Sequence, residues 1–171
     1  MFLAVGAEID YVTVYDPESQ EYYVMAENLL KKYYKSPDQY KFIYKQKGKE
    51  LKNLTYQPLF DYIPNSKIPT EYKNQFFQIL NGDFVSTEDG TGIVHIAPTF
   101  GEIDFMAVAE LLGEQHALEW LFMPVDEYGC FDEQVPDYQG MMVFDANKLV
   151  MDELKARKVT VKAESITHSY P

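Results

Sequence analysis

The stretch from Asp89 to Asp104 constrains the fold more than any other part of the chain. It reads Asp89-Gly90-Thr91-Gly92-Ile93-Val94-His95-Ile96-Ala97-Pro98-Thr99-Phe100-Gly101-Glu102-Ile103-Asp104. A glycine-bearing loop, a short strand, a Pro-bounded turn and a helix start follow one another without a spacer. Gly90 and Gly92 permit tight backbone geometry and close approach by a ligand. On a strand, Thr91, Ile93, His95 and Ala97 face one way, and Gly92, Val94 and Ile96 the other. Thr99-x-x-Glu102 has the pattern of a capping box ahead of the apolar run Ile103 to Ala109. A chain that passes from strand to helix this abruptly belongs to the mixed α and β class.

The flanking sequence is mostly short strands. Ile9 to Tyr15 reads as a strand, Asp16-Pro17-Glu18-Ser19 as a turn, and Glu21 to Met25 as the hairpin partner. A short helix is expected from about Ala26 to Tyr34, a strand over Tyr40 to Tyr44, and a turn at Lys47-Gly48-Lys49. Pro58, Pro64 and Pro69 punctuate an irregular middle. Phe76 to Leu80, Asp83 to Val85 and Gly92 to Ile96 read as further strands. A second helix is expected from about Asp145 to Arg157, with Ala146, Leu149, Val150 and Leu154 as its apolar stripe. Without repeats or a composition break, residues 1–171 are expected to form a single α+β domain. Its predicted architecture is a small β-barrel or curled mixed sheet with short flanking helices.

Composition narrows the function classes. No apolar run approaches the roughly 18 residues needed to span a bilayer, so no membrane partner is expected. The lone Cys130 has no disulfide partner, and no Cys/His cluster has zinc spacing; a reducing, cytoplasmic setting is the simple reading. The net charge of −12 argues against nucleic acid. Its distribution qualifies that, because residues 28–54 carry +6 and the remainder −18. Eight lysines between Lys31 and Lys52 are interleaved with Tyr33, Tyr34, Tyr40, Phe42 and Tyr44, which suits phosphates and unpaired bases. The plainer reading, which the same residues favour, is a solvated lysine face balancing an acidic protein.

Chemistry points back to the first segment. His95 at the end of its strand and Asp104 in the first turn of the following helix could converge on one pocket. Both have plainer readings. A histidine beside Ile93 and Val94 suits a hydrogen-bonded core position, and a carboxylate in a first helical turn is favoured by about 0.3–1 kcal/mol from the helix dipole. The Gly-x-Gly lacks the third glycine and the βαβ setting of a dinucleotide site. No Gly-Lys-Ser/Thr or Gly-x-Ser-x-Gly occurs, and His116 and His168 lack ligand-spaced partners.

The same residues carry a family resemblance. Gly90-Thr91-Gly92-Ile93-Val94-His95-Ile96-Ala97-Pro98, with Phe100-Gly101-Glu102 and Asp104, resembles the signature of the editing domain inserted into isoleucyl-tRNA synthetases. The valyl and leucyl enzymes share the Gly-Thr-Gly-x-Val opening and the later Asp; His at 95 points to the isoleucyl member. Leu3-Ala4-Val5-Gly6 with Ile9-Asp10-Tyr11 resembles the segment entering that domain. Tyr56-x-Pro58-Leu59-Phe60, Asp83-Phe84-Val85, Pro124-Val125-Asp126-x-x-Gly129 and Tyr138-x-Gly140 resemble its middle, and His168-Ser169-Tyr170-Pro171 its exit.

The resemblance implies post-transfer hydrolysis of the ester joining misattached valine to the 3′ end of tRNA(Ile). A pocket separates isoleucine from valine by about 1–3 kcal/mol for one methylene, a magnitude for which this very pair is the standard illustration. A second, smaller pocket then removes the error. By resemblance, Asp104 pairs with the α-ammonium, His95 walls the side-chain pocket assisted by Phe100, and Gly90, Thr91 and Gly92 shape the adjoining loop. Asp104 and His95 are the expected catalytic residues, His95 as a candidate general base, and water is the nucleophile. No metal or cofactor is expected in this domain, since ATP, and zinc where present, would serve the parent enzyme. The remainder of that synthetase is the expected protein partner.

Two departures shape the expectation. The family's threonine-rich peptide, just upstream of Leu-Ala-Val-Gly, has no counterpart here. The His-Ile-Gly-His and Lys-Met-Ser-Lys-Ser motifs of class I synthetases are also missing. The expectation is an excised domain that cannot aminoacylate and hydrolyses weakly, if at all. The alternatives are a non-catalytic module binding the aminoacyl end, or the equivalent domain of a valyl or leucyl enzyme.

Overall fold

The strand Asp10–Asp16 (β2) sits between Glu21–Ala26 (β3) and Lys41–Lys47 (β4), antiparallel to both. Its Asp-Tyr-Val-Thr-Val-Tyr-Asp sequence is β-branched and aromatic, which suits a pleated surface packed on both sides. Tyr11, Val12, Thr13 and Val14 are all buried, so both faces are covered at its centre. The hairpin to β3 turns on Asp16, whose Oδ1 accepts hydrogen bonds from the N–H groups of Glu18 (2.8 Å) and Ser19 (3.2 Å). This computed structural model describes residues 2–63 and 75–163. Pro64, Pro69, His168 and the rest of the His-Ser-Tyr-Pro segment lie outside the described residues.

A second sheet is mixed. Phe2–Val5 (β1) pairs in parallel with Ile79–Asn81 (β5) and antiparallel with Ile93–Ile96 (β6). Phe2, Ala4, Leu80 and Ile96 pack with Val108 and Leu112 of helix α3 (Glu102–Leu112) and Ala117 of α4 (Glu114–Glu119). Val5 joins Tyr11, Ala26 and Leu29 in another cluster. On the opposite face of β2, Val12, Val14, Met25 and Leu30 pack with Tyr23, Tyr33, Tyr34 and Tyr40. The helical turns after β3 are 3-10 over Glu27–Leu29 and α over Leu30–Tyr33 (α1). Gly48–Leu51 (α2) is one helical turn where the sequence suggested a turn.

These elements belong to the unit Met1–Phe122; a second compact unit spans Met123–Pro171. There, Asp126 Oδ1 accepts from the N–H groups of Tyr128 and Cys130, both at 2.9 Å. Helix α5 (Val143–Ala156) buries Ala146, whereas Leu149 of the expected stripe is exposed. Tyr138 donates to Glu153 Oε2 at 2.5 Å, and that hydrogen bond raises the phenol pKa to about 12.

The architecture is α+β, with two three-stranded sheets and short helices. Of the two forms the sequence allowed, the described residues build open sheets, one of them mixed, and no closed barrel. Asp83 to Val85 is a turn rather than a strand, because the N–H of Val85 returns to the Gly82 carbonyl at 3.3 Å. The run Phe76 to Leu80 pairs as a regular strand only from Ile79, since Phe77 has a left-handed backbone (φ 56°). Helix α3 is not capped by Thr99; its N-cap is Gly101. The Thr99 hydroxyl donates instead to the Phe122 carbonyl at 2.8 Å, and a turn closed by Phe100 N–H on Ala97 O (2.9 Å) uses up the residues before the helix.

Candidate functional site

β6, the turn after it and the first turn of α3 form one continuous unit. His95 pairs with Leu3 on the edge strand β6. Its neighbour Ile96 is fully buried, but His95 itself is exposed, so it is not a core histidine. Protein atoms still crowd part of the ring. That loss of hydration lowers the imidazole pKa, with the Asp104 carboxylate opposing the shift.

Asp104 is the third residue of α3. Its Oδ2 accepts a hydrogen bond from the Ala97 N–H at 2.8 Å, tying helix to strand end across the turn. The pattern Asp104-to-Ala97 replaces the expected Thr99–Glu102 box. The helix N-terminus adds partial positive charge beside this carboxylate. Gly101 approaches it closely: a Cβ there would meet Asp104 Cγ at 3.4 Å. Phe100, whose N–H closes the turn, is 63% exposed. Asp104 is thus tied to the end of the strand that carries His95, with Phe100 in the turn between them.

The glycine loop lies at the other end of β6. Three residues of extended chain separate Gly92 from His95, or about 10 Å. Gly90 and Gly92 both have left-handed backbones (φ 64° and 75°). They differ in surroundings. A Cβ on Gly92 would fall 2.6 Å from the Ala26 Cβ, whereas one on Gly90 meets nothing within 4 Å. Thr91 is half-buried, its Oγ1 accepting from the Ile93 N–H at 3.4 Å. An open groove of about 1010 Å³ shares Glu102 and Ile103 with the first turn of α3 and is lined also by Asp83, Phe84 and Met106; none of His95, Phe100 and Asp104 lines it.

Four of the eight lysines in the lysine stretch are ion-paired. Lys32 pairs with Asp89 (2.9 Å), Lys45 with Glu27 (2.8 Å), Lys47 with Asp10 (2.9 Å) and Lys49 with Glu8 (3.3 Å). Tyr33, Tyr34 and Tyr40 pack against the core. Phe42 and Tyr44 on β4 remain exposed. The sequence had offered all of these as one contact surface; their partners lie too far along the chain for spacing to reveal. Among the described residues, no cluster of three His, Cys, Asp or Glu is placed to hold a metal, and no helix is long and apolar enough to cross a membrane.

Comparison with known proteins decides the kinship. The chain is 36% identical over 173 residues to the cytoplasmic isoleucine–tRNA ligase of Saccharomyces cerevisiae, covering 99% of this chain and 15% of that protein. It is 42% identical over 180 residues to the isoleucine–tRNA ligase of Treponema denticola (99% and 16%), and 40% identical over 174 residues to that of Rickettsia bellii (99% and 14%). This chain is homologous to one segment of the isoleucine–tRNA ligases. It spans about a seventh of the length of these relatives. A solved structure described as "The crystal structure of GlLeuRS-CP1" matches with a TM-score of 0.61 over 100% of this chain and 78% of that one. At 14% identity, that likeness establishes shared fold alone. No family model matches the chain. Tyr11 and Lys32 also neighbour the glycine loop, through contacts across the fold that nothing local in the sequence marks.

Proposed function

We propose that this isoleucine–tRNA ligase segment is a post-transfer editing domain that hydrolyses valine from mischarged tRNA(Ile). The observation that carries the reading is the Asp104 carboxylate bonded to the Ala97 N–H, two residues beyond His95 at the junction of β6 and α3, in a chain related to these ligases over nearly its whole length. An aminoacyl ester always offers an α-ammonium. A carboxylate fixed to the backbone by Ala97 can hold that cation, orienting the ester carbonyl for attack by water. His95, exposed and biased toward its neutral form, limits the side-chain space and can accept a proton. Phe100 supplies an apolar surface, and the Gly90–Gly92 loop borders the nucleoside. Asp104 and His95 need no metal or cofactor for these roles; ATP would act elsewhere in the ligase. The partners are the tRNA 3′ end and the rest of the synthetase, in the cytoplasm.

A second reading, a module that binds the aminoacyl end without turnover, draws equally on an Asp104 carboxylate held as an anchor by Ala97. Incubation with valyl-tRNA and isoleucyl-tRNA separates the two. Preferential release of valine supports editing. Binding of the charged end without release supports the module, and indifference to both substrates rejects editing.

A further inference from the structure

Residues that precede the glycine loop by more than fifty positions hold it along most of its length. The Asn28 side-chain amide donates to Thr87 Oγ1 at 2.8 Å. Lys32 Nζ reaches both the Glu88 carbonyl and Asp89 Oδ1, the latter at 2.9 Å. The Ala26 N–H donates to the Thr91 carbonyl at 2.8 Å. The Tyr11 hydroxyl, wholly buried, accepts from the Gly6 N–H at 3.0 Å and donates to the Gly92 carbonyl at 2.5 Å. Burial raises that phenol's pKa, so it remains a donor. Gly92 can lie so near Ala26 only because it has no Cβ. A Cβ on Gly90, by contrast, would face open space.

We infer that Tyr11 and Lys32 are positioning residues that hold the loop from Thr87 to Gly92 as the nucleoside-side wall of the site. This rests on the editing reading. The loop stands about three strand residues from His95, or about 10 Å. An aminoacyl adenosine, with its amino acid at His95 and Asp104, extends over such a distance toward the loop. Backbone groups there can meet ribose and base only if the loop is fixed in advance, because ordering it on binding would cost affinity. Two tethers differ in kind. Tyr11 is a buried double hydrogen bond, and Lys32 an exposed charged strap.

The test uses two probes, an amide-linked, non-hydrolysable valyl-adenosine and valinamide, which lacks the nucleoside. Affinities are measured for the wild-type protein and for Tyr11→Phe, Lys32→Met and Lys32→Arg. Tyr11→Phe removes both hydrogen bonds of the hydroxyl, the one to the Gly92 carbonyl being the tether to the loop, and is expected to weaken valyl-adenosine about tenfold. Lys32→Met is expected to weaken it about two- to fivefold, as suits an exposed pair, with Lys32→Arg restoring it. Valinamide binding stays unchanged in all three variants. Equal losses for both probes, or no loss for valyl-adenosine, would overturn the inference while leaving the editing reading intact. A wild-type protein that binds neither probe would overturn both.

Discussion

The Ala97 N–H and the Asp104 carboxylate are joined at 2.8 Å across the turn between β6 and α3. This bond gives Asp104 a structural duty besides its proposed ammonium contact, and the two can be separated. Asp104→Ala leaves a half-buried N–H without its acceptor and is expected to lower stability by about 1–3 kcal/mol. Asp104→Asn keeps an acceptor and is expected to cost less, while still removing the charge that the substrate needs. Denaturant unfolding of both variants, alongside valyl-adenosine binding, checks this. Equal stability with intact binding in Asp104→Asn would remove Asp104 from the anchor role.

Glycine substitutions should rank by surroundings. Gly90→Ala meets only the left-handed backbone penalty, about 1–2 kcal/mol. Gly92→Ala adds a clash with Ala26 and is expected to cost more, about 3 kcal/mol or above. Unfolding midpoints of the pair decide the matter. A Gly92→Ala as mild as Gly90→Ala would mean the loop is not held against β3.

His95 makes stability depend on pH. Its pKa is lowered from the ordinary 6.5, chiefly by lost hydration. Between the lowered value and 6.5 the unfolded chain binds more protons than the folded one, so stability rises with pH there. This contribution is full above the ordinary histidine range and is lost as pH falls through the folded pKa. His95→Gln is expected to flatten this part of the profile, measured by unfolding from about pH 5 to 8.

Much of this was legible in the sequence, for physical reasons. Alternating β-branched and aromatic residues marked β2 and β3, and helical spacing marked α5, because these signals are local. The strand–turn–helix order that carries His95 and Asp104 was also local, since one turn joins their elements. What escaped was long-range. Lys32 meets Asp89 across 57 residues, and Tyr11 meets Gly92 across 81. The acidic partners of Lys45, Lys47 and Lys49 are likewise distant in sequence, so that half of the lysines in an apparent phosphate-binding stretch are engaged in ion pairs. Thr99 misled because its hydroxyl found the Phe122 carbonyl before it could cap a helix.

A smaller residue at His95 should enlarge the space for the substrate side chain. His95→Ala is expected to let isoleucyl-tRNA be deacylated alongside valyl-tRNA, raising isoleucine release about tenfold or more, the scale set by one methylene. Continued rejection of isoleucyl ester would place the size limit on other residues.

The central claim is that Asp104 holds the α-ammonium of a misattached amino acid for hydrolysis. The most direct measurement compares single-turnover deacylation of tRNA(Ile) carrying valine with tRNA(Ile) carrying the matching 2-hydroxy acid, which lacks that ammonium. The valyl ester is expected to react about tenfold faster or more, the worth of a charge-assisted hydrogen bond, with Asp104→Asn erasing the difference. Equal rates for both esters in the wild-type protein, or no deacylation of either, would contradict it.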